Sequence, residues 1–152
     1  MTEEISDENT LESVSNDTTM QVNGQYIKDF SFENPNSPQS LQPKNEPSIE
    51  INIDVSAKKL FDDVYEVALT TSVTGTDGED PLFVIELVYA GVFTFSNMTD
   101  EKLQPTLLID CPRLLFPFAR SIIANVTRDG GLPPLMLQPV NFAQLFMNSK
   151  QE

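Results

Sequence analysis

The stretch from Leu82 to Ser96 constrains this chain more than any other, because it is its longest apolar run. Read with the two-residue period of a β-strand, one side carries Leu82, Val84, Glu86, Val88, Ala90 and Val92. The other carries Phe83, Ile85, Leu87, Tyr89, Phe93 and Phe95. A strand that is apolar on both sides must be covered on both, or it leaves one side to a partner. Gly91 marks a bulge or a close backbone approach. Glu86 breaks an apolar side two residues from Val84, as an edge gatekeeper or as part of a binding surface.

Further strands are legible around it. Gln25–Glu33 reads as a first strand and stops at Asn34-Pro35. Four prolines (Pro35, Pro38, Pro43 and Pro47) then make a stiff crossover, too long for a hairpin. Ile49 to Val55 alternates strictly, with Ile49, Ile51, Ile53 and Val55 on one side. A strand from about Asp63 to Thr74 carries Tyr65, Val67, Leu69 and Val73 on one face and turns at Gly75–Pro81.

After Asn97 the period lengthens. Thr99-Asp100-Glu101-Lys102 resembles a helix start, but Pro105 limits that helix or displaces its start. Asp110-Cys111-Pro112 is a better one, a capping carboxylate with proline in the first turn. The helix is expected over Pro112 to about Arg128, ending at Asp129-Gly130-Gly131. Its apolar residues cover more than the ~100° stripe one core requires. It is therefore expected to face a second subunit too, with Leu115, Phe118, Ile122 and Val126 as interface candidates. Leu132 to Val140 is apolar but broken by three prolines, and Asn141 caps a short last helix. The fold class is α+β: a four-stranded antiparallel sheet with a long helix and a short C-terminal helix packed on it.

Charge and composition narrow the function. The 152 residues hold nine Lys+Arg against 23 Asp+Glu, net −14. Six of those acids (Glu3, Glu4, Asp7, Glu8, Glu12, Asp17) precede the first base, so the rest keeps 17 acids against nine bases, net −8. Residues 1–24 are expected to be a disordered acidic tail, 25–148 a single domain and 149–152 a C-terminal tail. Such a charge opposes binding to phosphate backbones and anionic membranes. Without His, every imidazole triad or metal site is excluded. The one cysteine, Cys111, reads as a small buried hydrophobe. Asp77-Gly78-Glu79-Asp80 lacks calcium-loop spacing, and no glycine pair is followed by the Lys-Ser/Thr of a phosphate loop. No enzyme, cofactor or metal is predicted. An acidic opening in place of a signal peptide predicts a cytoplasmic protein.

The motifs Tyr26–Asn36, Asp62–Val67, Ala90–Phe93, Cys111–Arg120 and Pro139–Phe146, in this order, resemble SecB, the bacterial protein-export chaperone family. The resemblance spans residues 26 to about 148. It implies a homotetramer, a dimer of dimers, acting without catalysis as an ATP-independent holdase that keeps preproteins unfolded in the cytosol. It also implies delivery to the motor ATPase SecA, whose basic C-terminal tail is received by an acidic and apolar patch. By position the patch falls on Asp29, Glu33, Val84 and Glu86. Client chains are expected in grooves lined by the crossover, the sheet and the Pro-rich loop. The candidates are Leu132, Leu135, Met136, Leu137, Phe142, Phe146 and Met147. The crossover lacks the Trp associated with the family. Two other readings are a SecB-like chaperone of a toxin–antitoxin system and a non-catalytic structural oligomer.

Overall fold

The structure is a computed structural model that describes residues 17–150. Four strands, β1 (Thr19–Glu33), β2 (Ser48–Phe61), β3 (Val64–Asp77) and β4 (Asp80–Ser96), form one antiparallel sheet in the order β1-β4-β3-β2. Two tight hairpins join β2 to β3 and β3 to β4, turning at Asp63 (φ 62°) and Gly78 (φ 63°). Asp and Gly are the residue types that accept such left-handed backbone at low cost. β1 lies beyond β4, so the chain must cross the whole sheet between Asn34 and Pro47 to start β2. The Pro-rich segment is that crossing, with one short 3-10 turn at Gln39–Leu41.

The helices occupy one face. An α-helix α1 (Asp100–Pro105), a wide π-type turn (Thr106–Asp110) and the long α2 (Cys111–Asp129) run on without a break, and α3 (Phe142–Lys150) follows the loop. Odd-numbered residues of β3 and β4 point into the helices: Val67, Leu69, Val73, Ile85, Leu87 and Phe93 are fully buried against Leu115, Ala119 and Ile123. Burying each such large side chain contributes about 1.5–3 kcal/mol. Gly91 resolves as a close approach. A Cβ there would lie 3.1 Å from Leu115 Cδ2 and 3.0 Å from Phe93 Cε2, so the missing side chain lets α2 settle on the sheet. The ladder shifts register elsewhere: twice in β1, at Val22/Gly24 and Ile27/Asp29, once in β2 at Lys59/Phe61, and once between β3 and β4 at Gly75/Thr76.

Four expectations need correction. Asp110 is not a cap: its backbone is helical (φ −73°, ψ −43°) and its side chain makes no capping bond. The helical run starts earlier, after the extended Thr99 (φ −90°, ψ 154°), where Asp100 and Glu101 favour the positive end of the helix dipole. Pro112 has no N–H for the carbonyl four residues back, and the wide turn accommodates it, with the Cys111 N–H bonded to the Thr106 carbonyl. The second correction is at the N-terminus: residues 19–24, assigned to the tail, are strand. Met20 and Val22 stand in register with Phe95 and Phe93. The rest of the expected disordered tail, residues 1–16, lies outside the described residues. Third, Ser149 and Lys150 belong to α3 instead of a tail. Fourth, Leu115 is fully buried in its own protomer and offers nothing to a second subunit. On α2 it is Leu114 and Phe118 that reach solvent, while Ile122 and Val126 are half-buried against the core.

Candidate functional site

The sheet presents two surfaces of different chemistry. On the helix-free face, pairing after the second β1 bulge places Glu33 opposite Val84, Ser31 opposite Glu86 and Asp29 opposite Val88. A residue directly across a strand pair shares its face. Asp29, Glu33, Val84 and Glu86 therefore converge on one patch from two neighbouring strands. All three carboxylates are exposed and Val84 is half-buried. The bulge matters here. One extra residue reverses the facing of everything after it, and it turns Asp29 and Glu33 onto this face while Phe30 and Phe32 face the helices.

Along the same face from the patch, Glu66 is clamped. Lys28 Nζ lies 2.6 Å from its Oε1, and the Tyr26 hydroxyl donates to its other oxygen. These two bonds hold the Glu66 carboxyl below the usual carboxylate range, the Lys28 bond most of all. Burial, reinforced by the bond to Glu66, pushes the Tyr26 phenol up to about 12. The clamp spans β1 and β3 over the intervening β4, fixing the sheet that carries the patch.

The second surface is a trough on the helix side, along β2. Ile49, Ile51, Ile53 and Val55 point the same way as the β3 core residues, yet no helix covers the first half of β2: Ile49 and Ile51 are each 40% exposed. A cavity of about 450 Å³ at the Ile49 end is lined by Leu41, Pro43 and Pro47 of the crossover, by Phe83, and by Leu132 to Leu135 of the loop. A second, of about 240 Å³, lies at the Ile53–Val55 end against Leu108, Leu145 and Phe146.

Of the expected groove residues, Leu132, Leu135 and Phe146 line these cavities, and Met136 and Met147 are exposed. Leu137 and Phe142 do not line them. They are 4% and 1% exposed and belong to the core, Phe142 edge-on to Phe116 at 6.0 Å. The alternation that should have identified Ile49 and Ile51 was plain; what it lacked was any sign that β2 is an edge strand left partly bare.

Other chemistry is quiet. Cys111 is buried, its thiol pushed up to about 12 by burial and the neighbouring Asp110 charge, so it stays a neutral hydrophobe beside Met20. Among the described residues no three His, Cys, Asp or Glu side chains gather as a metal site. Nor is any described helix long and apolar enough to cross a membrane.

An apolar trough along one strand and an acidic–apolar patch on the opposite face give the sheet two broad surfaces of the chemistry that suits extended chains. The model of one family, the preprotein translocase subunit SecB, matches residues 13–152. The chain is 53% identical to the protein-export protein SecB of a Bradyrhizobium species (strain BTAi1), over 87% of this chain and 82% of that one. It is 50% identical to that of Bartonella quintana over 84% and 82%, and 51% identical to that of Xanthobacter autotrophicus over 88% and 86%. In fold it is similar to a SecB-like chaperone of Mycobacterium tuberculosis solved with a peptide from an antitoxin. The TM-score is 0.67 at 14% identity, covering 80% of this chain and 90% of that one. The chain belongs to the SecB family, the chaperones of preprotein export.

Proposed function

We propose that this protein is a non-catalytic, ATP-independent holdase that works in the cytoplasm as a dimer of dimers. Unfolded preproteins lie along the trough on β2, and the basic C-terminal tail of SecA docks on Asp29, Glu33, Val84 and Glu86. The observation that carries this reading is the β1–β4 register, which gathers the four patch residues on the face opposite the trough. Affinity for many different clients has to be non-directional, and apolar burial at ~25 cal/mol per Å² supplies it. The flexible Met136 and the Pro-interrupted loop suit varied side chains. Each exposed carboxylate contributes about 0–1 kcal/mol, so the patch acts mainly by steering a basic tail and raising its on-rate.

The test is capture of the SecA tail at low and high salt by the wild type and by Glu86→Lys. The reversed charge is expected to weaken capture about tenfold at low salt, through a slower on-rate. Protection of an unfolded client against aggregation is expected to stay near the wild-type level. Client protection that fell in step with tail affinity would show that the two faces are not separate sites.

A further inference from the structure

One wall of the trough belongs to neither the sheet nor the helices. Leu41, Pro43, Glu46 and Pro47 of the crossover line the larger cavity, and only the three-residue turn at Gln39–Leu41 gives that segment regular structure. The backbone bonds of its first half close on itself, from Ser37 to Asn34, Ser40 to Asn36 and Leu41 to Pro38. Two asparagines fasten that half to its surroundings: Asn34 Nδ2 donates to the Gly130 carbonyl at 2.9 Å and Asn36 Nδ2 to the Pro81 carbonyl at 2.8 Å.

The second half, where the trough wall lies, is held differently. Among the described residues, every hydrogen bond from positions 43–47 to the rest of the protein ends on one carboxylate, that of Asp77. The Lys44 N–H donates to Oδ2 at 2.8 Å, and the Asn45 N–H and Nδ2 donate to Oδ1 at 3.0 and 2.9 Å. Pro43 and Pro47 flank this pair and have no N–H to offer. Asp77 is the last residue of β3, and the ladder places it opposite Asp80 across the Gly78 turn, so the acceptor is anchored in the sheet.

We propose that Asp77 is a positioning residue for client binding: its carboxylate latches the crossover to the β3–β4 hairpin and so fixes the width of the apolar trough. This inference rests on the trough being the client site. Bonds from N–H groups to a carboxylate are about twice as strong as neutral ones, which suits a segment with few other attachments. With the latch closed, Pro43, Pro47 and Leu41 present a set wall against which a client side chain buries. With it open, the wall recedes and a bound client loses that contact. The effect falls on client release, since the mouth of the trough is open in either state.

The full chain is compared with Asp77→Ala and Asp77→Asn in two measurements. The first is amide hydrogen exchange at Lys44 and Asn45, with the β3 amides as reference. The second is the release rate of reduced, carboxymethylated α-lactalbumin, which stays unfolded. Asp77→Ala is expected to speed exchange at both amides, leave exchange of the β3 amides unchanged, and speed release about tenfold. Asp77→Asn keeps one accepting oxygen but turns an amide donor toward the Lys44 N–H, so it is expected to fall between. It also serves if the alanine variant folds poorly. Faster exchange with unchanged release would overturn the proposal, and so would unchanged exchange in both variants. A wild-type chain that captures no unfolded client would instead overturn the reading of the trough, with the exchange data still reporting whether the latch exists.

Discussion

Thr71 lies in the middle of β3, fully buried between Ile53 and Leu87 in the ladder, and its hydroxyl has no hydrogen-bond partner. A buried polar atom left unpaired costs about 1–3 kcal/mol relative to its hydrated state. Valine has nearly the same shape and removes the unpaired group, and it is also a strong strand former. Thr71→Val is therefore expected to stabilise the fold by about 1 kcal/mol, raising the thermal midpoint by ~2–4 °C in a chain of this size. Urea unfolding checks it: the midpoint should rise with an unchanged slope. A fall in the midpoint would mean that the hydroxyl has a partner in solution. The same reasoning was not available from the sequence. Thr71 breaks the apolar alternation of its strand at one point, and only the packing shows that the polar group is sealed in.

At the scale of elements, the Tyr26–Glu66–Lys28 clamp predicts how the sheet responds to pH. Glu66 has a folded pKa below its ordinary value, so its contribution is complete above the unfolded value of ~4.3 and is lost as pH falls through the folded one. Tyr26 is shifted the other way, from 10.0 to about 12, so its contribution is complete below the unfolded value and is lost as pH rises through the folded one. The clamp is thus fully formed between about pH 5 and 10. Glu66→Gln is expected to lower the urea midpoint in that window, and the gap to wild type is expected to narrow as the pH falls toward ~3. A gap independent of pH would mean that the ion pair contributes nothing.

Which elements could be read in advance follows from how local their signals are. β3 and β4 alternate over long stretches and were legible to within a few residues, whereas β2 is legible only over Ile49–Val55, because the strict alternation stops there while the strand runs on to Phe61. The first third of β1 was not, because Asn23 and Gly24 dilute its alternation and its apolar positions, Met20 and Val22, acquire meaning only opposite Phe95 and Phe93. The helix start was misplaced for a comparable reason. Asp110-Cys111-Pro112 has the composition of a cap, while the actual geometry depends on a wide turn that no residue pattern announces.

For the whole molecule, the arrangement of faces separates the proposed assembly surface from the proposed client trough. That trough follows β2, at one edge of the sheet. At the other edge β1 leaves Met20, Val22, Ile27 and Phe30 between 36% and 49% exposed on the helix side. Ile27 stands opposite Tyr89, and Tyr89 stacks on Phe118 of α2 with centroids 5.9 Å apart. Phe118 is itself 49% exposed, and Leu114 beside it, one helical turn away, is 41% exposed. A contiguous apolar strip thus runs from the β1 edge onto the outer side of α2, and strips of this kind on a soluble chain mark interfaces. The family resemblance named the patch residues, and sequence spacing alone puts only Val84 and Glu86 on one face; Asp29 and Glu33 join them through a β1 bulge that no residue pattern announces. The expected interface residues on α2 divide because helical periodicity alone does not reveal which apolar side, that of Leu115 or that of Phe118, is buried in the core. The proposed tetramer is expected to use the Leu114–Phe118 side. Light scattering should give the mass of four chains for the wild type and a lower mass for Phe118→Asp, since a carboxylate cannot be buried there without a partner. Phe118 lines neither cavity of the β2 trough, so an apolar dye should still bind each chain of the variant. A wild type that stays monomeric at micromolar concentration would remove the strip as an interface, and loss of dye binding along with the mass would show that trough and assembly are one surface.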